Sequence, residues 1–354
     1  MDKITVVTGG CGFIGHHLVN RLIDIGKTVV VFDNLSTGKK ERLPEGVKLY
    51  KLDLTIDELP NLENVDAIYH LAATTSVEES LQNPAKYKNH ILNATRRLLL
   101  WAKDMNARRV VMASTAAVYG DPSIIPTHEG VPVNPISPYA EYKWRAENHL
   151  AHCHGKGLTT SCLRFFNVFG EGQPTSGSYA PAVARFMAQY ENFEPITVTG
   201  DGSQTRDYIY VKDIVAALII AMTRDNFFIL NLGSGEELTI LEIGPDAAKD
   251  QLRSGEIDVV AFTVGLEAPI ISQFAAIPGV AILDFSQGEA YSRKLPYLTQ
   301  VKLPHGNVSL EFNQPPRDIH LIAATAVLVG RENIAPGFVN VLMGHLYELL
   351  KNYS

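Results

Sequence analysis

The stretch Thr8-Gly9-Gly10-Cys11-Gly12-Phe13-Ile14-Gly15 follows the β-branched run Ile4-Thr5-Val6-Val7 and leads into a helical pattern with apolar residues at Leu18, Val19, Leu22 and Ile23. Strand, glycine turn and helix in that order predict a dinucleotide cradle. Gly9, Gly12 and Gly15 let the chain turn tightly, let its backbone approach a pyrophosphate, and let the helix lie close on its strand. The unpaired N–H groups of the first helical turn, at Phe13 and Ile14, face the phosphates. The next apolar run, Val29-Val30-Val31-Phe32, ends in Asp33. A carboxylate there accepts hydrogen bonds from both ribose hydroxyls and repels a 2′-phosphate, so the cofactor expected is NAD rather than NADP.

Composition sets the frame for this unit. The chain has 354 residues, 46% hydrophobic and 19% charged, which is a globular balance with room for two domains or one large α/β unit. Its 31 basic and 38 acidic residues leave a net charge of −7, with no Lys/Arg tract. That argues against nucleic acid or an anionic membrane as partner. The longest apolar run, Leu321 to Val329, is too short to span a bilayer. The first strand starts almost at Met1, which leaves no room for a signal peptide, and Cys11, Cys153 and Cys162 match neither a disulfide nor a zinc spacing. A reduced, cytoplasmic protein is the expectation. His152-Cys153-His154 would occupy adjacent helical positions that do not face one point, so no metal is expected.

Further strand runs, Lys48 to Leu52, Ala67 to Leu71, Val110 to Ala113 and Ser161 to Phe165, are separated by stretches long enough for crossover helices. The fold class predicted is α/β, a Rossmann-type doubly wound parallel sheet. Ligands of such sheets lie at the carboxyl ends of the strands. There stand Asp53-Leu54, within reach of the adenine edge or equally a turn cap, and the small residues of Leu71-Ala72-Ala73.

Tyr139 and Lys143, after the helix-start signal Ser137-Pro138, are i and i+4 and share a helix face. A phenol must fall from about 10 toward neutrality to act as a base, at about 4 kcal/mol. One ammonium a few ångströms away supplies energy of that order at an effective dielectric of about 20. An ordinary amphipathic face would place the two residues in the same way.

The order of the motifs makes the pattern specific: the glycine turn, Asp33-Asn34-Leu35-Ser36-Thr37-Gly38, Ser114-Thr115-Ala116-Ala117-Val118-Tyr119-Gly120, Tyr139 with Lys143, Leu163 to Gly170, and Gly200 to Tyr208. Over residues 1–243 the chain resembles the extended short-chain dehydrogenases/reductases, and among them the nucleotide-sugar 4-epimerases of the UDP-glucose type. The resemblance implies that Asn34, Ser36, Thr37, Gly38 and Phe165 join the cofactor site. It implies Tyr139 as acid/base, Lys143 as the group that holds the nicotinamide ribose, and Thr115 as a hydrogen-bond partner of the reacting hydroxyl. Thr74, Ser76, Asn167 and Arg206 would meet the substrate, a UDP-hexose, with Arg206 on its diphosphate. Asp207 reads either as part of that site or as an internal ion-pair partner, and Asn167 reads also as a loop cap. A homodimer is the assembly expected. Dehydratases of the family carry an acid just after the hydroxyl residue; Ala116 and Ala117 stand here, so transient oxidation at C4 followed by epimerisation is the implied reaction. An NAD-binding chimera with an incomplete sugar site is the alternative, and a dehydratase a weaker one.

Two departures from the family pattern stand out. Ile91-Leu92-Asn93-Ala94-Thr95 replaces the usual Asn-x-x-Gly-Thr, which removes a polar contact on the cofactor side. At Gly244-Pro245 a helix begun by the capping box Thr239…Glu242 is expected to stop, and the family's terminal phosphate-gripping motif is missing beyond it. With the runs Leu252 to Val260, Lys294 to Thr299 and Thr325 to Ile334, residues 244–354 are instead similar to the carboxyl-terminal part of TAXI-type solute-binding proteins of tripartite transporters. The resemblance implies a separate α/β segment of different origin, with strands Ile257 to Phe262, Val280 to Leu283 and Ile319 to Val329 and a helix Phe338 to Leu350.

Overall fold

The computed structural model describes residues 3–174, 183–185, 189, 205–235, 238–239, 245–257, 259–260, 269–282, 284, 298–309 and 313–324. The chain divides into two compact units, Met1–Leu241 and Glu242–Ser354.

The first unit is a parallel sheet of seven strands: β1 (Ile4–Thr8), β2 (Thr28–Asp33), β3 (Lys48–Lys51), β4 (Val65–His70), β5 (Arg109–Thr115), β6 (Thr159–Phe165) and, after three short strands, β10 (Ile229–Leu232), in spatial order β10-β6-β5-β4-β1-β2-β3. The short strands are β7 (Asn167–Phe169), β8 (Thr205–Arg206) and β9 (Tyr208–Tyr210), with β7 parallel to β9. The chain leaves β1 toward β2 and β3 and later returns to its other side through β4, so the strand order reverses between β1 and β4. The predicted doubly wound sheet is thus the fold found, and a crevice opens at its switch point.

Helix α1 (Phe13–Asp24) follows the glycine turn. After α2 (Val77–Gln82) and α3 (Pro84–Tyr87), a π-helical turn, Lys88–Asn93, runs into α4 (Ala94–Asp104). Helix α5 (Pro138–Cys153) carries the Tyr139/Lys143 face, and α6 (Val211–Ala221) closes the other side. Strand residues alternate between two cores. Val6, Val30, Ile68 and Met112 join Leu98, Trp101 and Leu150 of α4 and α5. Val7, Val31, Val111 and Leu163 join Leu18 and Leu22 of α1 and Ile214 and Leu218 of α6. Burial on both faces explains why these strands read as unbroken apolar runs.

In the second unit, α7 (Pro245–Ser254), α8 (Pro269–Ala275) and the antiparallel pair β12 (Leu298–Leu303) and β13 (Ile319–Ala324) are described, with Ala248, Phe274 and Ile277 as a small apolar cluster. Strand β11 (Leu238–Thr239) belongs to the first unit, where it pairs antiparallel with β8. The predicted helix up to Gly244 lies outside the described residues, and Pro245 begins α7. Proline suits the first helical position, where its missing N–H has no partner to lose and its φ is already helical. Thr239 lies in β11, not at a cap, while Glu242 lies outside the described residues. The described parts of 257–262 and 280–283 form no strand; β13 covers the first part of the third predicted strand, and the rest, with the predicted helix Phe338 to Leu350, lies outside the described residues. Among the described residues, no helix is long and apolar enough to cross a membrane.

Candidate active site

At the carboxyl edge of the sheet, around the β1/β4 switch point, lies a cavity of about 1550 Å³. A single small-molecule site has roughly 300–1,000 Å³, so this one has room for two ligands.

The glycine turn forms its floor. Gly9 has φ +71°, and a Cβ there would stand 2.8 Å from Ala72 N; a Cβ on Gly15 would stand 2.0 Å from Gly9 O. Gly12 is the N-cap of α1 and offers no side-chain cap, so the first N–H groups of the helix, at Phe13 and Ile14, are left to an anion. All five residues line the cavity. Asp33 is buried at the end of β2. Its Oδ2 accepts from Cys11 N at 2.9 Å and its Oδ1 from Leu35 N at 2.8 Å, so the carboxylate also locks the turn it serves, leaving one lone pair on each oxygen for ribose hydroxyls. Burial, followed by the Asp33 charge, pushes the Cys11 thiol up to about 12, and it stays protonated. Asn34, Ser36 and Thr37 continue this wall. Gly38 does not line the cavity; it lies behind the turn, where a Cβ would meet Cys11 Cβ at 2.7 Å. At the far end Asp53 accepts from Thr55 N, Thr55 Oγ1 and Asn34 Nδ2. Burial raises its pKa, and these bonds outweigh burial and hold it below the usual carboxylate range.

Leu71, Ala72 and Ala73 line the middle of the cavity, and one hydrogen-bond chain fixes them. Thr95 Oγ1 donates to Ile91 O at 2.6 Å and so accepts from His70 Nε2–H at 2.9 Å; His70 Nδ1 then accepts from Thr8 Oγ1 at 2.8 Å, and Thr8 Oγ1 accepts from Ala72 N at 3.2 Å. Only neutral His70 completes this chain. Burial, and after it the Lys143 charge, pulls its pKa down to about 3. A histidine depressed when folded supports stability fully above its unfolded value, and this support fades as pH falls toward 3. Between pH 7 and pH 5 the protein is expected to lose about 2 kcal/mol through His70. In urea titrations at the two pH values, His70→Gln should flatten that dependence, and an unchanged slope would refute it. The Thr95 end of the departure noted above therefore serves the fold. Ile91 is buried in the core, and the π-helical turn places His90, which sequence reasoning missed, on the cavity wall.

Ser137 Oγ accepts from Ala140 N at 3.2 Å and caps α5, with Pro138 at its first position; such a cap contributes about 1 kcal/mol. The helix turns Tyr139, Lys143 and Glu147 toward β5 and β6 at successive turns. Tyr139 is buried, edge-on to Tyr87 with ring centroids 6.4 Å apart. Lys143 Nζ donates to Ala113 O at 2.8 Å. Burial lowers its pKa to about 8, against the Glu147 carboxylate, which raises it. Thr115 ends β5 and its Oγ1 accepts from Ala117 N at 3.1 Å, leaving the hydroxyl hydrogen to donate. Glu147, missed by sequence reasoning though it stands one turn beyond Lys143, anchors this edge. It accepts from Ser114 Oγ at 2.5 Å and from Arg164 Nε and Nη2 at 2.9 and 2.7 Å, while Arg164 Nη1 donates to Tyr119 Oη at 2.8 Å.

The remaining wall carries Thr74, Ser76, Phe165, Asn167 and Arg206. Ser76 caps α2, accepting from Glu79 N at 3.1 Å. Thr74 Oγ1 is buried without a hydrogen-bond partner among the described residues. Asn167 Nδ2 donates to Asp207 O at 2.9 Å, which makes it a loop brace at the cavity rim. The Asp207 carboxylate accepts from Ser234 N and Oγ and from Gly235 N, so it orders that turn. Arg185, in the helical residues 183–185, also reaches the cavity and was not foreseen. His152, Cys153 and His154 do not converge: Thr160 N donates to His154 Nδ1, whereas His152 meets Lys156.

The reversed strand order, the glycine turn and Asp33 define a dinucleotide-binding α/β protein, with a Tyr–Lys pair facing the same cavity. The chain belongs to the NAD dependent epimerase/dehydratase family, whose model matches residues 5–233. It is 32% identical over 265 residues to UDP-glucose 4-epimerase of Lactobacillus helveticus, covering 69% of this chain and 80% of that one. It is 39% identical over 246 residues to UDP-glucuronic acid decarboxylase 1 of Arabidopsis thaliana, covering 67% of this chain and 56% of the relative. Among solved structures it is similar to UDP-N-acetylglucosamine 4-epimerase from Methanobrevibacter ruminantium M1 in complex with UDP-N-acetylmuramic acid, with a TM-score of 0.65, 39% identity, and coverage of 68% of this chain and 79% of that chain. The cradle fits NAD, as the family requires: Cβ atoms would fill it at Gly9 and Gly15, and Asp33 offers a carboxylate for ribose hydroxyls.

Proposed function

We propose that the protein is a nucleotide-sugar 4-epimerase acting on a UDP-hexose by transient oxidation at C4. The observation that carries this reading is the convergence of Thr115, Tyr139 and Lys143 on one cavity, with Ala116 and Ala117 in the positions where an eliminating enzyme needs an acid. Bound NAD supplies the hydride acceptor for the reaction. Tyr139 Oη takes the proton of the sugar 4-hydroxyl and returns it in the second half of the cycle. The Lys143 ammonium stabilises the phenolate, and the Thr115 hydroxyl donates to the reacting oxygen and holds it in line. Arg206 attracts the diphosphate, and Thr74 Oγ1 gains the polar partner it lacks. A buried polar group left unpaired costs about 1–3 kcal/mol, so ligand contact there adds affinity.

Incubation with UDP-glucose and, separately, with UDP-glucuronate, with product followed by proton NMR, tests the reading: UDP-galactose is expected from UDP-glucose, whereas a 4-keto-6-deoxy sugar from UDP-glucose would replace epimerisation by dehydration, and a UDP-pentose from UDP-glucuronate would replace it by decarboxylation. A protein that binds NAD but oxidises no UDP-sugar would leave the chimera reading. The division at 243/244, the TAXI-like origin of residues 244–354, a cytoplasmic setting and a homodimer belong to the same proposal. The resemblance supports the first two and the unpaired cysteines support the third. Light scattering of the full chain tests the fourth.

The cofactor preference is open to direct measurement. Asp33→Ala removes the ribose acceptor and also releases Cys11 N and Leu35 N, so NAD binding is expected to weaken by at least about 1.5–3 kcal/mol. Calorimetry on the variant checks this, and tighter binding of NADP than NAD by the unaltered protein would refute the role of Asp33.

A further inference from the structure

Five lysines and arginines line the cavity among the described residues, and four of them have partners on the protein. Arg42 Nη2 donates to Gly172 O at 2.7 Å, Lys86 Nζ to Glu79 at 2.5 Å, Lys143 Nζ to Ala113 O at 2.8 Å, and Arg206 Nη1 to Thr205 O at 2.7 Å. Arg185 differs. It is half-buried, faces the same cavity, and among the described residues has neither a hydrogen bond nor an ion pair.

A guanidinium drawn partly out of water without a counter-charge costs free energy that a structure ordinarily recovers through a carboxylate or carbonyl. Among the described residues neither is supplied, and an anion that arrives with a ligand fits the place. Two kinds of diphosphate fit the cavity. One is provided for by the glycine turn and the open N-terminus of α1. The other has Arg206, whose guanidinium is exposed and by itself is a weakly attracting, solvent-screened charge.

We propose that Arg185 is a substrate-binding residue which, together with Arg206, grips the diphosphate of the nucleotide sugar from within the first unit. The inference rests on the nucleotide-sugar reading of the site. Two planar forks on one diphosphate give both charge and orientation, which one ammonium cannot reproduce. The motif that the sequence lacks beyond residue 244 then has a substitute in a residue outside any family motif.

The test is UDP binding by calorimetry to the full chain carrying NAD, at fixed and at raised salt, for Arg185→Gln, Arg185→Lys and Arg206→Gln. Arg185→Gln is expected to weaken UDP by about ten- to a hundredfold, the loss of one charged contact, with a smaller salt dependence and unchanged NAD binding. Arg185→Lys should fall between. If Arg185→Gln binds UDP as the unaltered protein does while Arg206→Gln is weakened, the role of Arg185 is refuted alone. If neither variant changes UDP binding, the nucleotide-sugar reading fails with it. If Arg185→Gln weakens NAD instead of UDP, the residue serves the cofactor and the proposal is overturned. Thermal melting with NAD bound separates these outcomes from a folding defect.

Discussion

Tyr139→Phe is expected to bind NAD like the unaltered protein and to lose sugar oxidation by about a thousandfold or more. General acid–base transfer alone contributes about 10²–10⁴. The ring stays edge-on to Tyr87 in the buried wall, so the packing of that wall and the shape of the cofactor cleft are kept. What disappears is the one oxygen that the proposed mechanism uses to take the 4-hydroxyl proton. The check is reduction of bound NAD by UDP-glucose under anaerobic conditions in a stopped-flow absorbance experiment; an unchanged rate would refute the acid/base role. The same assay has an expected pH profile. Lys143 supports a phenolate only while it is charged, and burial has brought it down to about 8. Oxidation should therefore decline as pH passes through about 8, where the ammonium loses its proton.

Glu147→Gln is expected to destabilise the protein by about 3–5 kcal/mol, because it leaves the Arg164 guanidinium buried without its counter-charge. Both side chains are almost wholly buried, at 1% and 4% side-chain exposure, so water cannot replace the lost bonds. The damage should not stop at stability. Ser114, beside Thr115, loses its carboxylate partner, and Lys143 loses the charge that opposes its desolvation, so its pKa drops further. Urea unfolding measures the first effect. The double variant Glu147→Leu/Arg164→Met removes both charges and should recover most of the loss, since paired buried charges are often replaceable by apolar residues of like volume. If Glu147→Gln costs less than about 1 kcal/mol, the pair is not the anchor of the β5–β6 edge.

Local chemistry explains how much could be read from the chain. The β1–α1 unit, the strand runs and the parallel sheet follow from short-range patterns: β-branched strands buried on both faces, glycines where a side chain would collide with backbone, and Ser137-Pro138 at a helix start. Tyr139 and Lys143 were legible because helical spacing alone sets one above the other. Asp33 was legible as a cofactor acceptor but not as the brace of the glycine turn, since its bond to Cys11 N joins segments that only the fold brings together. Gly38 matched a motif yet stands behind the turn. Pro245 reads as a stop signal and begins α7, because its fixed φ and missing N–H suit the first helical position.

The amino-acid sequence by itself thus determined the sheet, the NAD cradle and the order of the reactive residues, all consequences of period, backbone freedom and short spacing. Tertiary structure alone decided which polar groups were consumed by the fold and which were left for ligands. Asp207 and Asn167 became braces, and His70 became a neutral link between Thr8 and Thr95. Glu147 became the partner of Arg164, and Arg185 remained half-buried with no partner among the described residues. The physical reason is that hydrogen-bond and charge pairing inside a protein depends on distance in space, and residues far apart in the chain carry no local signal of whom they will meet.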